Sequence, residues 1–432
     1  MHKKSAAPTF YSVPAKRQAS SSSSSYGDVL TLQKWTLDRN LHLMELPEDV
    51  LYLLFRYLDL TSLGRLCQVC RKLRRLIQTD SVWLPFSRHQ LVIREPQQGN
   101  LTKCRTCLPS LKEQCRMARN WTKGINREIT IVRHHSRQLP WMQYDQIHPK
   151  TMWVSTGEYI NCYKVLANGL FQEDKRRKLG PLHRDVTRFV VKDSLVVSGC
   201  REGSLFGWHS DTGKTLFCYV NVHTEDTQCV DFHHNLMVSG SRDATLKILS
   251  MDEQYNSNQP RATLRAEDRV WSVAMAPDGS TFASGSAGCN GSYPLIIWDL
   301  CKGVMDCSLG QDHRRGAGIL DLKYEAPDIL LSCGYDSYLR LWDLRTEKCE
   351  MMWEEPFDSA VYCVKTDGDC AMLTGTARHG MTRLWDKRAT KPVQLYYAGH
   401  RSSPVYSLAF DCSHLYLALD ISISMLDFSI YR

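Results

Sequence analysis

The chain has 432 residues, of which 43% are hydrophobic and 10% aromatic, and its formal net charge is +8. This length and composition are typical of a globular protein with room for one large domain beside a small one. No apolar stretch approaches the roughly 18 residues of a membrane helix, and the first residues lack the apolar centre of a secretory signal. We therefore expect no membrane association and a location in the cytoplasm, the nucleus or both.

The charge is distributed unevenly along the chain. Residues 1–150 carry 24 Lys and Arg against 11 Asp and Glu, a net +13, whereas residues 151–432 carry 30 against 35, a net −5. Most of the basic excess lies in residues 92–150. A basic segment can attract nucleic acid, but this one has no aromatic platform or base-reading motif, so we do not expect nucleic acid as a partner.

The first third of the chain predicts a tail, a small helical domain and a linker. Residues 1–40 contain a serine-rich tract that cannot bury enough apolar surface to order itself, which predicts a disordered tail. Apolar residues then recur at helical spacing from Leu46 to Leu58 and from Leu63 to Ile77, and Asp80 is suited to cap a third short helix. We predict an all-α domain at residues 44–91 and a basic, partly helical linker at residues 92–150.

A repeat of short strands occupies residues 151–432. An aromatic or aliphatic anchor residue, often within Trp-Asp, recurs every 41–49 residues and follows a strand of small residues such as VVSG, MVSG or FASG. The seven anchors are Tyr163, Trp208, Leu249, Trp298, Trp342, Trp385 and Leu426. Four short strands per repeat and seven repeats predict an all-β, seven-bladed WD-repeat β-propeller, whose ring closes without a free edge.

The propeller explains most side chains that could suggest catalysis or metal binding. His400, Ser332, Asp336 and Trp342 each match a position of the buried hydrogen-bonded network of WD repeats, which we assign to different blades. We therefore predict no catalytic residue and a protein that is not an enzyme. Cys104, Cys107, Cys115 and His134 form only one paired knuckle, so we expect no metal and no other cofactor. The odd number and scatter of the 17 cysteines predict that most are reduced.

Residues 44–84 resemble the F-box. The motif positions are filled by Leu46, Pro47, Val50, Leu51, Phe55, Tyr57, Leu58, Leu63, Val69, Cys70, Arg71 and Trp83, while Leu73 stands where many members carry Trp. An F-box followed by WD repeats resembles the substrate receptors of Skp–cullin–F-box (SCF) ubiquitin ligases. The order of phrases such as LPWMQ (139–143) and WEEPFDSAVYC (353–363) resembles the dactylin subfamily.

This resemblance implies that the F-box binds the Skp adaptor and, through it, the cullin and RING subunits. The propeller would bind a protein client for ubiquitination and proteasomal degradation. The residues that the resemblance assigns to adaptor binding are Leu46, Pro47, Val50, Leu51, Phe55, Leu58, Leu63, Val69, Cys70 and Trp83. We expect Phe55 and Trp83 to contribute most to that interface.

Alignment of the repeats on their anchors predicts a client-binding face. Arg201, Arg242, Tyr335 and Arg378 fall at one aligned position, in the turn between the second and third strands. Trp271, Tyr362 and Tyr406 fall at another, at the beginning of the first strand on the same face. Arginine at the turn position resembles propellers that bind phosphorylated degradation signals, so an acidic or phosphorylated client is one alternative. The other is that these arginines only form surface ion pairs.

Two further functions remain open from the sequence. The tetrapeptides Trp342–Arg345 and Trp385–Arg388 match WDxR, which resembles the docking motif of receptors for cullin-4-type ligases. A non-degradative scaffold that uses the propeller to assemble partners is the second alternative.

Overall fold

The computed structural model describes residues 42–88, 90–96, 109–145, 147–182, 184–251, 259–311 and 313–431. The predicted disordered tail at residues 1–40 lies outside these ranges. The chain divides into two compact units, and the boundary between Leu51 and Tyr52 falls inside the first α-helix. In the first unit, the described residues form a 3₁₀ turn at Leu43–Glu45 and the beginning of that helix. None of the described helices is long and apolar enough to cross a membrane.

Four short helices occupy the described part of the predicted F-box region. They are α1 (Glu48–Phe55), α2 (Leu60–Val69), α3 (Arg71–Ile77) and α4 (Asp80–Ser87). The prediction of three helices is wrong because the backbone of Cys70 is extended, with φ −154° and ψ 164°, and divides the second apolar stripe. The predicted cap is also wrong: Thr79 precedes α4, and the carboxylate of Asp80 instead accepts the Leu111 N–H at 3.4 Å.

The predicted linker contains one described helix, α5 (Leu111–Lys123). The helix begins after Ser110, whose hydroxyl accepts the Glu113 N–H at 3.4 Å. It ends at Gly124, whose left-handed backbone (φ 66°) lets its N–H bond to the carbonyls of Asn120 and Trp121. The helix is therefore bounded at both ends by local capping signals.

Seven four-stranded antiparallel sheets follow in the described residues, which confirms the seven-bladed propeller. Blade 1 comprises β2 (Met142–Tyr144), β3 (Thr151–Thr156), β4 (Tyr159–Val165) and β5 (Phe171–Glu173). Blade 2 comprises β6 (Val186–Lys192), β7 (Leu195–Cys200), β8 (Leu205–His209) and β9 (Thr215–Tyr219). Blade 3 comprises β10 (Thr227–His233), β11 (Leu236–Ser241), β12 (Thr245–Ser250) and β13 (Ala262–Arg265).

The other four blades have the same order of strands. Blade 4 comprises β14 (Val270–Met275), β15 (Thr281–Ser286), β16 (Leu295–Asp299) and β17 (Val304–Leu309). Blade 5 comprises β18 (Ile319–Ala326), β19 (Ile329–Gly334), β20 (Tyr338–Asp343) and β21 (Lys348–Glu354). Blade 6 comprises β22 (Val361–Thr366), β23 (Ala371–Thr376), β24 (Met381–Asp386) and β25 (Pro392–Tyr397). Blade 7 comprises β26 (Ser407–Phe410), β27 (His414–Ala418), β28 (Ser422–Asp427) and β1 (Arg127–Arg133).

Blade 7 closes the ring with a strand from far earlier in the chain. Strand β1 pairs antiparallel with β28, from Arg127 opposite Asp427 to Arg133 opposite Ser422. The propeller therefore begins at Arg127, and the predicted boundary at residue 151 is wrong. Residues 127–150, assigned to the linker from the sequence, contribute β1 and β2 instead. The repeat pattern could not show β1, because this strand precedes the first anchor and carries none itself.

The anchors lie where the repeat predicts, each in the third strand of its blade. Three of the anchor tryptophans donate their indole N–H to a hydroxyl on the second strand: Trp298 to Ser284, Trp342 to Ser332 and Trp385 to Thr374, each at 2.8 Å. Apolar side chains of neighbouring sheets fill the space between blades. The propeller core is thus divided among the blade interfaces rather than gathered in one centre.

Helix α5 is fixed to blade 7 by its last turn. The indole of Trp121 is fully buried and stacks on Phe428, with 3.7 Å between ring centroids. Its N–H donates to the Cys412 carbonyl at 3.0 Å. The side-chain amide of Asn120 donates to the carbonyls of Phe428 and Ile430 at 2.8 and 3.0 Å. The helix therefore belongs physically to the propeller.

We predict that Trp121→Ala lowers the free energy of unfolding by about 3–5 kcal/mol, because it leaves a cavity beside Phe428 and an unpaired carbonyl at Cys412. Urea denaturation followed by circular dichroism measures the change. Lys123→Ala, at an exposed position of the same helix, serves as the control and should have little effect. Equal stability of the two variants would contradict the assigned role of Trp121.

Candidate functional site

Several residues predicted to bind the adaptor form the core of the helical region instead. Leu51, Phe55, Leu63 and Trp83 are at most 3% exposed, and the Trp83 indole donates to the Ile77 carbonyl. The prediction that Phe55 and Trp83 are the main interface residues is therefore wrong. A unit of short helices needs its largest apolar side chains for its own interior.

Other predicted residues remain available to a partner. Pro47, Val50 and Val69 are exposed, while Leu46, Leu58 and Cys70 are half-buried. Sequence reasoning left several exposed apolar side chains out of the adaptor set, among them Leu53 (54% exposed), Tyr57 (88%) and Leu84 (44%). Leu54, part of the predicted helical stripe but not of the adaptor set, is also 42% exposed. The sequence did indicate these exposed residues, because α1 carries apolar side chains on more than the single face that packing in a core requires.

The His, Asp and Ser side chains of blade 3 form a closed network. Nδ1 of His223 lies 3.1 Å from Oδ2 of Asp243 and 3.0 Å from Oγ1 of Thr245, and its Nε2 lies 2.8 Å from the Ser239 hydroxyl. Burial alone would raise the pKa of Asp243, but hydrogen bonds from His223 and Thr245 outweigh it and hold that pKa well below its usual range. Ser239 is fully buried, so its hydroxyl cannot reach a substrate.

Blade 5 has a related network, in which Arg340 bonds to both Asp336 and His313, and it corrects one assignment. Ser332, Asp336 and Trp342 lie in one blade, not in different blades as predicted from the sequence. The blade's histidine is His313, whose Nε2 lies 3.6 Å from Asp336. His400, predicted for the same network, is exposed. The trios therefore stabilise turns between strands, in agreement with their structural interpretation.

The predicted client face contains a recurring turn position. The backbone N–H of Arg201 and that of Arg242 each donate, at 3.1 Å, to the backbone carbonyl of the residue that precedes the first strand of the same blade. The backbone N–H of Tyr335 makes the equivalent bond in blade 5. In blade 6 the donor of the equivalent bond is the backbone N–H of Ala377, not that of Arg378. From the bonded residue to the anchor, blade 6 has one residue more than blades 2, 3 and 5, so counting back from Trp385 displaced the alignment. The placement of Arg378 at the shared position is therefore wrong.

The two arginines at this position are paired with acids of their own chain. The guanidinium of Arg201 lies 3.6 Å from Asp185, and that of Arg242 lies 3.3 Å from Asp226. Both line a cavity of about 400 Å³ between blades 2 and 3. Its other lining residues are Arg184, Glu202, Thr224, Glu225 and Asp226. Three arginines thus face three acids, and the cavity carries no net positive charge.

A row of tyrosines extends across blades 5 to 7 on the same face. The rings of Tyr335 and Tyr362 are 6.3 Å apart and nearly perpendicular, and those of Tyr362 and Tyr406 are 6.0 Å apart. Tyr335 is 45% exposed. Burial, followed by the neighbouring tyrosines, raises the pKa of Tyr362 to about 12, so its phenol stays neutral and able to donate. The structure therefore brings the predicted tyrosines together.

Trp271, in blade 4, holds the position equivalent to Tyr362 and Tyr406. Its indole N–H is buried and has no hydrogen-bond acceptor among the described residues. Phe357 lies on the same face as the tyrosine row, because Ser337 in the blade 5 turn donates to Asp358 at 3.0 Å. The Phe357 ring is 62% exposed, although no sequence repeat marks it.

The arginines of the two WDxR motifs are held by their own turns. Arg345 makes a bidentate bond to Asp343, at 3.2 and 2.9 Å, and Arg388 does the same with Asp386, at 2.9 and 2.7 Å. Both pairs are local contacts between a strand end and the turn that follows it. In each motif the arginine therefore has a structural role, which is to hold the turn that follows the third strand.

The described residues contain no group of three or more His, Cys, Asp or Glu side chains that could hold a metal ion. Cys104 and Cys107 lie outside the described residues. Cys115 is buried in α5, which raises the pKa of its thiol to about 11. All 15 cysteines whose state is described are free thiols.

Comparison with known proteins agrees with both parts of the structure. The F-box-like family model matches residues 43–88, and the WD domain, G-beta repeat model matches residues 258–292. The chain is 39% identical to the F-box/WD repeat-containing protein 4 of mouse over 391 residues, which is 89% of this chain and 93% of that protein. The human protein of that name gives 39% over 393 residues with the same coverage. Mitochondrial division protein 1 of Aspergillus niger is 25% identical over 54% of this chain and 36% of that protein.

An F-box-like helical region followed by a WD-repeat propeller defines a class of proteins, and the chain belongs to this F-box and WD-repeat family. Within it, the similarity over most of the chain is to F-box/WD repeat-containing protein 4. The dactylin subfamily comprises F-box and WD-repeat protein four, so the predicted resemblance to this subfamily is confirmed.

We predict that Asp243→Asn destabilises the propeller by about 1–3 kcal/mol at neutral pH, because it removes the ionised acceptor of the blade 3 network. The folded-state pKa of Asp243 is depressed, so its stabilisation is fully present above the unfolded pKa of about 3.9 and is lost as the pH falls from there toward the folded-state pKa. The difference between wild type and variant should therefore shrink from pH 6 to pH 3 in thermal unfolding. Asp306→Asn, on the exposed face of β17, is the control. A difference that stays constant with pH would contradict the network.

Proposed function

We propose that the chain is the substrate-recognition subunit of an SCF ubiquitin ligase. Its F-box would bind the Skp adaptor, which connects it to cullin and RING subunits, and its propeller would bind a client for ubiquitination and proteasomal degradation. In this role the chain is a non-catalytic receptor that raises the local concentration of client lysines near the ubiquitin thioester. The free cysteines support a site of action in the cytoplasm, the nucleus or both.

The observation that carries this proposal is the surplus of exposed apolar side chains on an F-box-like unit whose core is already complete. Phe55, Leu63 and Trp83 fill that core, yet Leu53, Leu54 and Tyr57 remain between 42% and 88% exposed along one side of α1 and its exit. Exposed apolar groups of this density favour a protein partner. The F-box relationship supports the Skp adaptor as that partner.

For the client, the tyrosine row is a stronger candidate than the arginine cavity. Exposed ion pairs such as Arg242–Asp226 contribute at most about 1 kcal/mol, and an acidic client would have to displace the chain's own carboxylates. Aromatic side chains at the centre of an interface often contribute 2 kcal/mol or more. An acidic or phosphorylated client therefore has less structural support than one that buries apolar groups on Tyr335, Tyr362 and Tyr406.

A non-degradative scaffold would share the adaptor contact but lack the ligase subunits. Purification of the tagged chain from cells with the proteasome blocked separates these functions. Recovery of adaptor, cullin and RING subunits together supports the ligase, and adaptor without cullin supports the scaffold. Recovery of a cullin-4-type ligase that depends on Arg345 or Arg388 would support the WDxR alternative.

We predict that the double variant Leu53→Ser with Leu54→Ser reduces co-purified Skp adaptor by about tenfold or more, because it removes two exposed apolar contacts. Quantitative immunoblotting measures the adaptor, and thermal unfolding confirms that the propeller remains folded. Leu216→Ser is a matched control, since this leucine is 40% exposed on the outer strand β9. Undiminished adaptor with the double variant would refute the proposed surface.

We further predict that Tyr362→Ala reduces client capture about tenfold or more, whereas Arg242→Ala changes it by less than about fivefold. Mass spectrometry of proteins captured from proteasome-blocked cells gives the comparison. Tyr397→Ala, an exposed tyrosine on the outer strand β25, is the control. The reverse order of effects would assign recognition to the arginine cavity.

A further inference from the structure

The centre of the propeller holds charged side chains that neither the adaptor surface nor the client face uses. They lie on the innermost strands β6, β10, β18 and β22, which belong to blades 2, 3, 5 and 6. The group consists of Arg188, Lys192, Asp231, Asp321, Lys323 and Lys365. Four cations thus accompany two acids, and the group has a net charge of +2.

Contacts between blades that are not neighbours show that these side chains meet inside the central channel. Arg188 of blade 2 donates to Oδ1 of Asp321 at 3.3 Å and to the Leu320 carbonyl at 2.7 Å, both in blade 5. Trp141 precedes blade 1, and the guanidinium of Arg188 lies 4.3 Å from its ring centroid. The ammonium of Lys365, in blade 6, lies 5.3 Å from the same ring. The contacts of Arg188 with blade 5 and of Lys365 with Trp141 are possible only across the channel.

Both carboxylates of the channel already have ion-pair and hydrogen-bond partners within the chain. Asp231 forms an ion pair with Lys192 and accepts the Met275 N–H of blade 4 at 2.8 Å. Asp321 accepts Arg188 and, at 3.0 Å, the Val364 N–H of blade 6. Among the described residues, no carboxylate lies within ion-pair distance of Lys323 or Lys365. The excess positive charge of the channel therefore resides on these two lysines.

The surroundings of Lys323 make its charge unfavourable. Burial, followed by repulsion from Lys365 and Lys192, lowers the pKa of Lys323 to about 8. The ammonium is still mostly protonated at neutral pH, and the two carboxylates that attract it, Asp231 and Asp321, already have cationic partners in Lys192 and Arg188. A charge of this kind is costly unless an ion of opposite sign accompanies it.

We propose that the central channel binds a small multivalent oxyanion of the phosphate class, held by Lys323 and Lys365. Two adjacent ammonium groups at equivalent positions of blades 5 and 6 suit an anion with several charged oxygens. The ligand is a compact free anion rather than a polypeptide, because Arg188 spans the channel between blades 2 and 5. The site is independent of adaptor and client binding.

Thermal unfolding of the full chain tests this site. We expect inorganic pyrophosphate to raise the melting temperature by about 2 °C or more relative to sodium chloride of equal ionic strength. Lys323→Met should melt no lower than wild type in chloride, because an uncompensated charge is removed, and should lose the pyrophosphate increment. Lys302→Met, at a position whose side chain is 76% exposed, should retain the increment. Equal melting of wild type in the two salts, or an increment that survives in Lys323→Met, would overturn the proposal.

A calorimetric titration of wild type with pyrophosphate keeps the test decisive if a channel variant does not fold. A single-site isotherm supports the proposal, and the absence of binding heat refutes it. A phosphoserine peptide tests the other source of phosphate. Failure of the peptide to compete supports a free anion, whereas competition at similar affinity would assign the channel to a client's phosphate and overturn the free-anion site.

Discussion

The stacking of Trp121 on Phe428 is the contact on which the rest of the structure depends. It fixes the end of α5 against blade 7, and only a few residues later the chain enters β1, the strand that closes the ring. The same short segment therefore completes the propeller and carries the helices before it. Arg116 strengthens this junction, because its guanidinium bonds to the carbonyls of Ser429 and Ile430 and lies 3.9 Å from the Tyr431 ring.

Much of the fold could be predicted because the WD repeat records its packing in the sequence. In three blades an indole on the third strand bonds to a Ser or Thr hydroxyl on the second strand, and an aromatic or aliphatic anchor recurs at this position in every blade, so the anchors revealed each third strand. Strand β1 could not be found in this way. Its register is set by β28, some 300 residues later, and its own residues carry no repeat. The break at Cys70 was hidden for a similar reason, because apolar periodicity continues across the two helices that it separates.

The candidate sites were predictable in position but not in exposure. The motif named the right helices, yet it could not tell that Phe55 and Trp83 point inward while Leu53 and Tyr57 point outward. A partner surface and a small core use the same residue types. Arg378 shows a second limit, since one additional residue in a turn moves a side chain off its aligned position without changing the repeat length noticeably. Arg242 occupies its predicted turn, but Asp226 neutralises it, and no alignment of single positions reports a counter-ion.

The pairing of β1 with β28 has a consequence for the order in which the protein can be made. The partners of Asn120 and β1 are synthesised about 300 residues after them, so for most of translation the closing strand has an open edge and α5 has no surface to dock on. Exposed strand edges invite pairing with other chains, and contacts this distant in sequence form slowly. Strand β1 of a nascent chain thus has no native partner until β28 emerges. A polypeptide released before blade 7 is made lacks both the partner strand of β1 and the surface on which Trp121 packs, so its ring cannot close.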